Sequence, residues 1–168
     1  MNGDADGIVG RHGSEEDADA VLRTRVAALL ALPAAEVLVG RSCPRCGSSG
    51  HGRPWARARG ARTEVPVSLS RCGPHLLTAV APTGRLGVDL ESVAAVARGW
   101  DEELVLHPSE RGVARSPRER AALWARKEAI LKALGTGLTT EMSSLREDDA
   151  EIVDLAAPPG HVAALARL

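Results

Sequence analysis

The stretch SPRERAALWARKEAILKALG, Ser116 to Gly135, decides how this chain is read. Ser116 stands where a helix N-cap belongs and Pro117 takes the first helical position. Glu119 can reach back to close a capping box, and Gly135 lies just past the last apolar residue. The pattern predicts a helix over Pro117 to Leu134. At about 100° per residue, Leu123, Trp124, Ile130, Leu131 and Leu134 share an apolar stripe with Lys127 in its middle. A lysine there reads first as a stem packed along apolar surface with its ammonium reaching for water. Glu128 and Lys132, one turn apart at the stripe's edge, read first as an exposed ion pair that stabilises the helix by about 0.2–0.5 kcal/mol.

A second stretch changes that weighing. In GRLGVDLES, Gly84 to Ser92, Asp89 and Glu91 alternate with Val88 and Leu90. In an extended strand residues two apart share a face, so the two carboxylates stand side by side and repel unless a cation lies between them. Asp89 and Glu91 from a strand, with Lys127, Glu128 and Lys132 from a helix, make three carboxylates and two ammonium groups. Hard oxygen ligands beside cations suit Mg²⁺ and a polyphosphate.

Composition frames the rest. The 168 residues suit one domain or two small halves; 44% are hydrophobic and 26% charged, Phe and Tyr are absent, and Trp occurs three times. The core must therefore be built from Ala, Leu and Val. A formal net charge of -1 asks for neither nucleic acid nor an anionic membrane as partner. The most apolar run, VAALLALPAAEVLV from Val26, is broken by Pro33 and Glu36, short of the roughly 18 residues of a membrane span. The N-terminus lacks the basic and apolar regions of a signal peptide, so cytoplasmic location is expected. Cys43, Cys46 and Cys72 are too few and too odd in number for a disulfide framework, which leaves thiols or a metal site.

Along the chain, residues 1–13 read as a mobile tail, 14–86 as an N-terminal half and 87–168 as a C-terminal catalytic half. Ser14 and Asp17 cap a helix running to about Leu32, where Pro33 stops it, with Leu22, Val26, Leu29 and Leu30 as its buried stripe. RSCPRCGSSGHGRP, Arg41 to Pro54, reads as loop. VPVSLS and HLLTAVA read as strands, and PTG at Pro82 to Gly84 would turn the second into RLGVDLE as an antiparallel pair. EIVDLA and HVAALARL are further strands. The class is α+β.

GVDLE followed by WARKEAILKALGTGL resembles the 4′-phosphopantetheinyl transferase superfamily, of the kind that activates peptide synthetases and polyketide synthases in secondary metabolite biosynthesis. HPSERG with Glu110 resembles its short Ser-Glu segment, HGRP and VSLSR its coenzyme-binding segments, and PPGHVAALA its last strand, a likeness running from about Leu22 to the end. The resemblance implies a fold of two pseudo-symmetric αβ halves, here with a shortened first half. It also implies transfer of the phosphopantetheine arm of coenzyme A to a serine of an acyl or peptidyl carrier protein. Mg²⁺ is the implied cofactor and adenosine 3′,5′-bisphosphate the leaving product. By the same resemblance Asp89, Glu91 and Glu128 would hold Mg²⁺, Glu128 would help deprotonate the serine, and Lys127 and Lys132 would neutralise phosphate charge. Arg53, Ser70 and Arg71 would meet the coenzyme. Arg71 stands where the family commonly has histidine, and so keeps a charge that does not titrate near neutrality. A monomer or a dimer is expected.

Two rival readings remain. Cys43, Cys46 and His51 follow a C-x2-C-x4-H spacing whose fourth ligand position falls on Ala56; with Arg53, Arg57, Arg59 and Arg62 around Trp55 they make a zinc-knuckle-like nucleic-acid module the alternative. The same three residues could instead hold a structural Zn²⁺ inside the transferase. A catalytically inactive carrier-binding scaffold is the third class. His107 and His161 read as structural or surface residues, and Trp100 and Trp124 as core.

Overall fold

The structure is a computed structural model that describes residues 8–43 and 45–168. Its contacts divide the α+β chain into two compact units, Met1–Gly84 and Arg85–Leu168. Among the described residues, no helix is long and apolar enough to cross a membrane.

The first unit runs β1 (Val9–Gly13), α1 (Ala18–Leu30), β2 (Val37–Ser42), β3 (Arg53–Ala58), β4 (Val67–Cys72) and β5 (His75–Val80). β5 is the middle strand of an antiparallel sheet ordered β1-β5-β4, and β2 and β3 form a separate hairpin. Strand β1 corrects the expected tail over its last five residues, since Val9 to Gly13 pair with Ala79 back to His75. Residues 1–7 of that tail lie outside the described residues. Asp17 caps α1 by accepting from the Asp19 N–H. Leu22 and Val26 are buried with Val37, Ala56, Val67 and Val80. Leu29 and Leu30 are not: the helix ends on a left-handed Ala31, and its last turn leaves both exposed while Ala18 and Ala27 are buried instead.

The second unit runs β6 (Leu86–Ser92), α2 (Val93–Gly99), α3 (Glu102–Val105), α4 (Pro117–Leu134), β7 (Glu151–Leu155) and β8 (His161–Arg167). Here too the middle strand is the most apolar: β8, buried from Val162 to Ala166, lies between β6 and β7, all antiparallel. The expected pairing of HLLTAVA with RLGVDLE is thus overturned. β5 pairs with β1 and β4, β6 pairs with β8, and PTG is where the chain leaves one unit for the next. A turn signal announces a change of direction and does not say whether the following strand returns along the same sheet.

Helix α4 forms as the sequence predicts. Ser116 accepts from the Glu119 N–H, the Glu119 carboxylate accepts from the Ser116 N–H, and Gly135 closes the helix in the left-handed region. Leu123, Ile130 and Leu131 enter a core with Val162, Ala164 and Ala166 of β8. On β6 the contact is closer still. A Cβ on Gly87 would lie 1.9 Å from the Ala129 carbonyl oxygen and 2.6 Å from the Ala133 nitrogen, so only a residue without one lets the helix backbone rest on the strand.

Replacing Gly87 by Ala should therefore cost about 3 kcal/mol, the upper end of overpacking penalties, because backbone rather than a flexible side chain must give way. Gly99→Ala, where an added Cβ meets nothing within 4 Å, is the control. Urea unfolding of both variants checks the difference, and equal midpoints would show that the close approach carries no strain.

Candidate active site

Gly87, Asp89 and Glu91 share the face of β6 on which α4 rests, opposite Ala166, Ala164 and Val162 of β8. On α4, Trp124, Glu128 and Lys132 are spaced by four and form one line along the helix. The two sets meet. The Lys132 ammonium donates to Asp89 Oδ1 at 2.6 Å and to the Val88 carbonyl at 3.1 Å, and the Trp124 side chain acts on Glu91 in the sense that favours its ionised form. Asp89 is only 3% exposed, whereas Lys132 keeps 28% of its side chain in contact with solvent.

The electrostatics record the crowding of negative charge. Burial, and then the charge of Asp89, push the Glu91 carboxyl up to about 7, against the opposing pull of the Trp124 side chain and the Lys132 ammonium; Glu128 pushes it up further. Glu128 is raised by burial and by Asp89, with Lys132 again opposing. The three carboxylates and Lys132 thus form one interacting group, though not a closed metal cage. Among the described residues, the group of such side chains whose ligand atoms all lie within 4.8 Å of one another is Cys43, Cys46 and His51 in the first unit.

Lys127 belongs elsewhere. Its side chain is fully buried, and its ammonium donates to Glu110 Oε2 and to the Leu145 carbonyl. Full burial corrects the idea of a stem snorkelling to water, and the coenzyme contact expected of Lys127 would require this enclosed ammonium to be opened to the ligand. Burial pushes the Glu110 carboxyl up, but donation from Lys127, the Glu147 N–H and the His107 N–H outweighs it and holds the group below the usual carboxylate range. The pairing of Glu110 with Lys127 and the influence of Trp124 on Glu91 have no reading in the sequence. Trp124 could have been found by its i,i+4 relation to Glu128; no local signal links Glu110 to a lysine 17 residues away.

In the first unit, Arg71 is exposed and donates to the Ser14 and Glu16 carbonyls at 2.8 and 2.9 Å. Ser70 is buried in β4, and Arg53 lies at the start of β3 with Glu64 3.9 Å away. Ala56, where a knuckle's fourth ligand would fall, is wholly buried. Arg57 stacks over Trp55 at 5.2 Å, and Arg59 pairs with Glu36 and donates to the Ala35 carbonyl. The fourth position of the nucleic-acid reading is thus a buried alanine, and two of its arginines are committed to their own hairpin and its flank.

Residues 85–166, which are the second unit less its last two residues, match the family model described as the 4′-phosphopantetheinyl transferase superfamily. The matched stretch carries GVDLE and WARKEAILK and stops short of HGRP and VSLSR. No curated protein matches the chain.

Two predictions follow from this geometry. Between the ordinary carboxylate range and pH of about 7 the folded chain holds a proton on Glu91 that the unfolded chain has released, so metal-free stability should fall as pH rises through that window. Denaturation at about pH 5 and about pH 8 measures the slope, Glu91→Gln should flatten it, and Mg²⁺ should raise the melting temperature more at the higher pH. An unchanged slope in the variant would refute the assignment. Lys127→Met should destabilise by about 3 kcal/mol, the lower end for breaking a buried pair, because Glu110 retains 17% exposure. Adding Glu110→Gln should restore part of the loss; a single variant as stable as the parent would show that the pair contributes nothing.

Proposed function

We propose that this protein transfers the 4′-phosphopantetheine arm of coenzyme A to a serine of an acyl or peptidyl carrier protein, as a Mg²⁺-dependent transferase of the type serving peptide and polyketide synthases. The observation that carries this reading is the joining of Asp89, Glu91, Glu128 and Lys132 into one electrostatic group within the segment that matches the superfamily.

In the proposed reaction the serine oxygen bonds to the phosphorus bearing the pantetheine arm, and the bond from that phosphorus to the oxygen bridging the pyrophosphate breaks. Adenosine 3′,5′-bisphosphate leaves with the bonding electrons. The donor set fits a hard divalent cation: three carboxylates face one ammonium, and two of the three hold a proton more readily than usual because of burial and the charge of Asp89. Mg²⁺ bound there would polarise the phosphate oxygens and neutralise their charge. Asp89, Glu91 and Glu128 would hold it.

Glu128 is the candidate proton acceptor for the serine, since burial and the neighbouring Asp89 raise its affinity for a proton. Lys132, partly exposed and already facing Asp89, would meet charge that grows on the phosphates as the bond breaks. Arg53, Ser70 and Arg71 are proposed to contact the coenzyme, a role supported by the resemblance of HGRP and VSLSR alone.

Incubation with coenzyme A, Mg²⁺ and a carrier protein, followed by intact mass, tests the reading. The carrier should gain the phosphopantetheine mass, and Asp89→Ala and Glu128→Gln should abolish the gain without unfolding the chain. Lys132→Ala should lower the turnover rate more than it weakens coenzyme binding, as expected of an interaction made mainly in the transition state. Coenzyme and carrier binding without transfer would favour the inactive scaffold, and near-normal transfer by Asp89→Ala at saturating Mg²⁺ would exclude the acidic site.

A further inference from the structure

We propose that the tip of the β2–β3 hairpin is a Zn²⁺ site, held by Cys43 Sγ, Cys46 Sγ and the His51 imidazole, with water completing a tetrahedral shell. This inference concerns the first unit and is independent of the transferase reading.

The three ligand atoms already lie within 4.8 Å of one another. Cys46 Sγ and His51 Nε2 are 3.4 Å apart. Zn–S and Zn–N bonds of about 2.3 and 2.0–2.1 Å at the tetrahedral angle put sulfur and nitrogen about 3.5 Å apart, so this edge of the shell is formed in advance. Two thiols and an imidazole select a borderline-soft cation over Mg²⁺, which takes oxygen ligands.

The backbone is arranged around the first cysteine. The Cys43 N–H donates to the Ser48 carbonyl at 3.0 Å and the Gly47 N–H to the Cys43 carbonyl at 2.9 Å, so Cys43 is tied to the residues that follow Cys46. His51 returns to this turn only because Gly52 follows it. At φ of 100°, a Cβ on Gly52 would lie 2.4 Å from the Ser42 carbonyl oxygen and 2.6 Å from Cys43 Cα, a conformation and a clearance that no other residue satisfies.

The strands beneath are fixed as well. Val37 and Ala56 anchor the hairpin in the core, and the Trp55 indole donates to the Arg41 carbonyl at 3.3 Å. The ligands therefore project from a braced hairpin, which reduces the ordering cost of metal capture. Binding expels the two thiol protons to the buffer, so affinity should rise with pH until both are lost.

The test uses the full chain, reduced and stripped with a chelator, then titrated with Zn²⁺ against a chromophoric chelator and separately with Co²⁺. One Zn²⁺ per chain is expected, undisplaced by excess Mg²⁺, with cobalt absorption showing tetrahedral geometry and thiolate-to-metal charge transfer. Cys43→Ser and Cys46→Ser should each weaken binding beyond the about 10–100-fold lost with an outer partner of a metal site. His51→Ala, at an exposed position that spares the fold, should weaken it about tenfold or more, while Cys72→Ser should leave it unchanged. Zn²⁺ should also raise the melting temperature of the parent chain and of Cys72→Ser, but not that of Cys43→Ser. Binding unaffected by His51→Ala and Cys43→Ser would overturn the proposal. So would a chain that loses two hydrogens on mass analysis through a Cys43–Cys46 disulfide while held in reductant.

Discussion

The contact between helix α4 and strand β6 across Gly87 sets the scale of everything around it. With helix backbone resting on strand backbone, side chains leaving the two elements on the same side need span only a short gap. That is why Lys132, whose own Cβ lies 2.8 Å from where a Gly87 Cβ would be, can bond both the Asp89 carboxylate and the Val88 carbonyl. It is also why Asp89 can be almost fully buried. An aspartate out of water is tolerated when a cation and hydrogen bonds compensate it, and Lys132 supplies both from one turn of helix away. A wider spacing between helix and strand would leave Asp89 buried and Lys132 drawn to solvent.

The same helix solves a second problem on its other side. Arg126, Lys127 and Glu128 are consecutive, about 100° apart around the axis, and each meets a different environment. Arg126 chelates Asp154 of β7 and pairs with Glu147, and those hydrogen bonds hold its guanidinium firmly protonated. Lys127 is buried against Glu110 and the Leu145 carbonyl, and Glu110 in turn takes the Glu147 N–H. The segments either side of α4, around Glu110 and around Glu147, are thereby tied to the helix and to each other through polar contacts rather than aromatic packing, in a chain without Phe or Tyr. Glu128 then faces Asp89, where no such compensation is complete.

How much of this was legible in the sequence depends on the range of the interaction. The ends of α4 are set by groups within four residues, so Ser116, Pro117, Glu119 and Gly135 could be read directly. The alternation around Asp89 and Glu91 could be read too, because a strand's period is local. What could not be read was any pairing made across the fold. PTG is as good a connection between units as within a hairpin, and nothing near Leu86 says that its partner is Arg167. Leu29 and Leu30 fall outside the buried stripe of α1 for a related reason: periodicity says which residues share a face, but not where the surface beneath that face ends. Lys127 is the clearest case. Its position among leucines is visible and odd, but whether its ammonium meets water, a phosphate or Glu110 is decided by a segment whose own local signals say nothing of a lysine 17 residues away.

The cluster around Asp89 differs in kind from the pair around Lys127. Glu110 and Lys127 balance one another, and every contact to the carboxylate lowers its affinity for a proton. At Asp89 three carboxylates share one ammonium, and two of them are pushed upward by burial and by Asp89. Left ionised, that group carries an excess of two negative charges, so the fold gives up stability near neutrality in order to hold it together. Departures from a self-compensated interior are expected at functional or strained sites, and the deficit here matches the charge of the one divalent cation proposed for it. The stability lost and the ligand sought are two measures of the same imbalance: the arrangement that makes Glu91 reluctant to ionise is the one that would make a bound divalent cation stabilise the second unit, through β6 and α4 together.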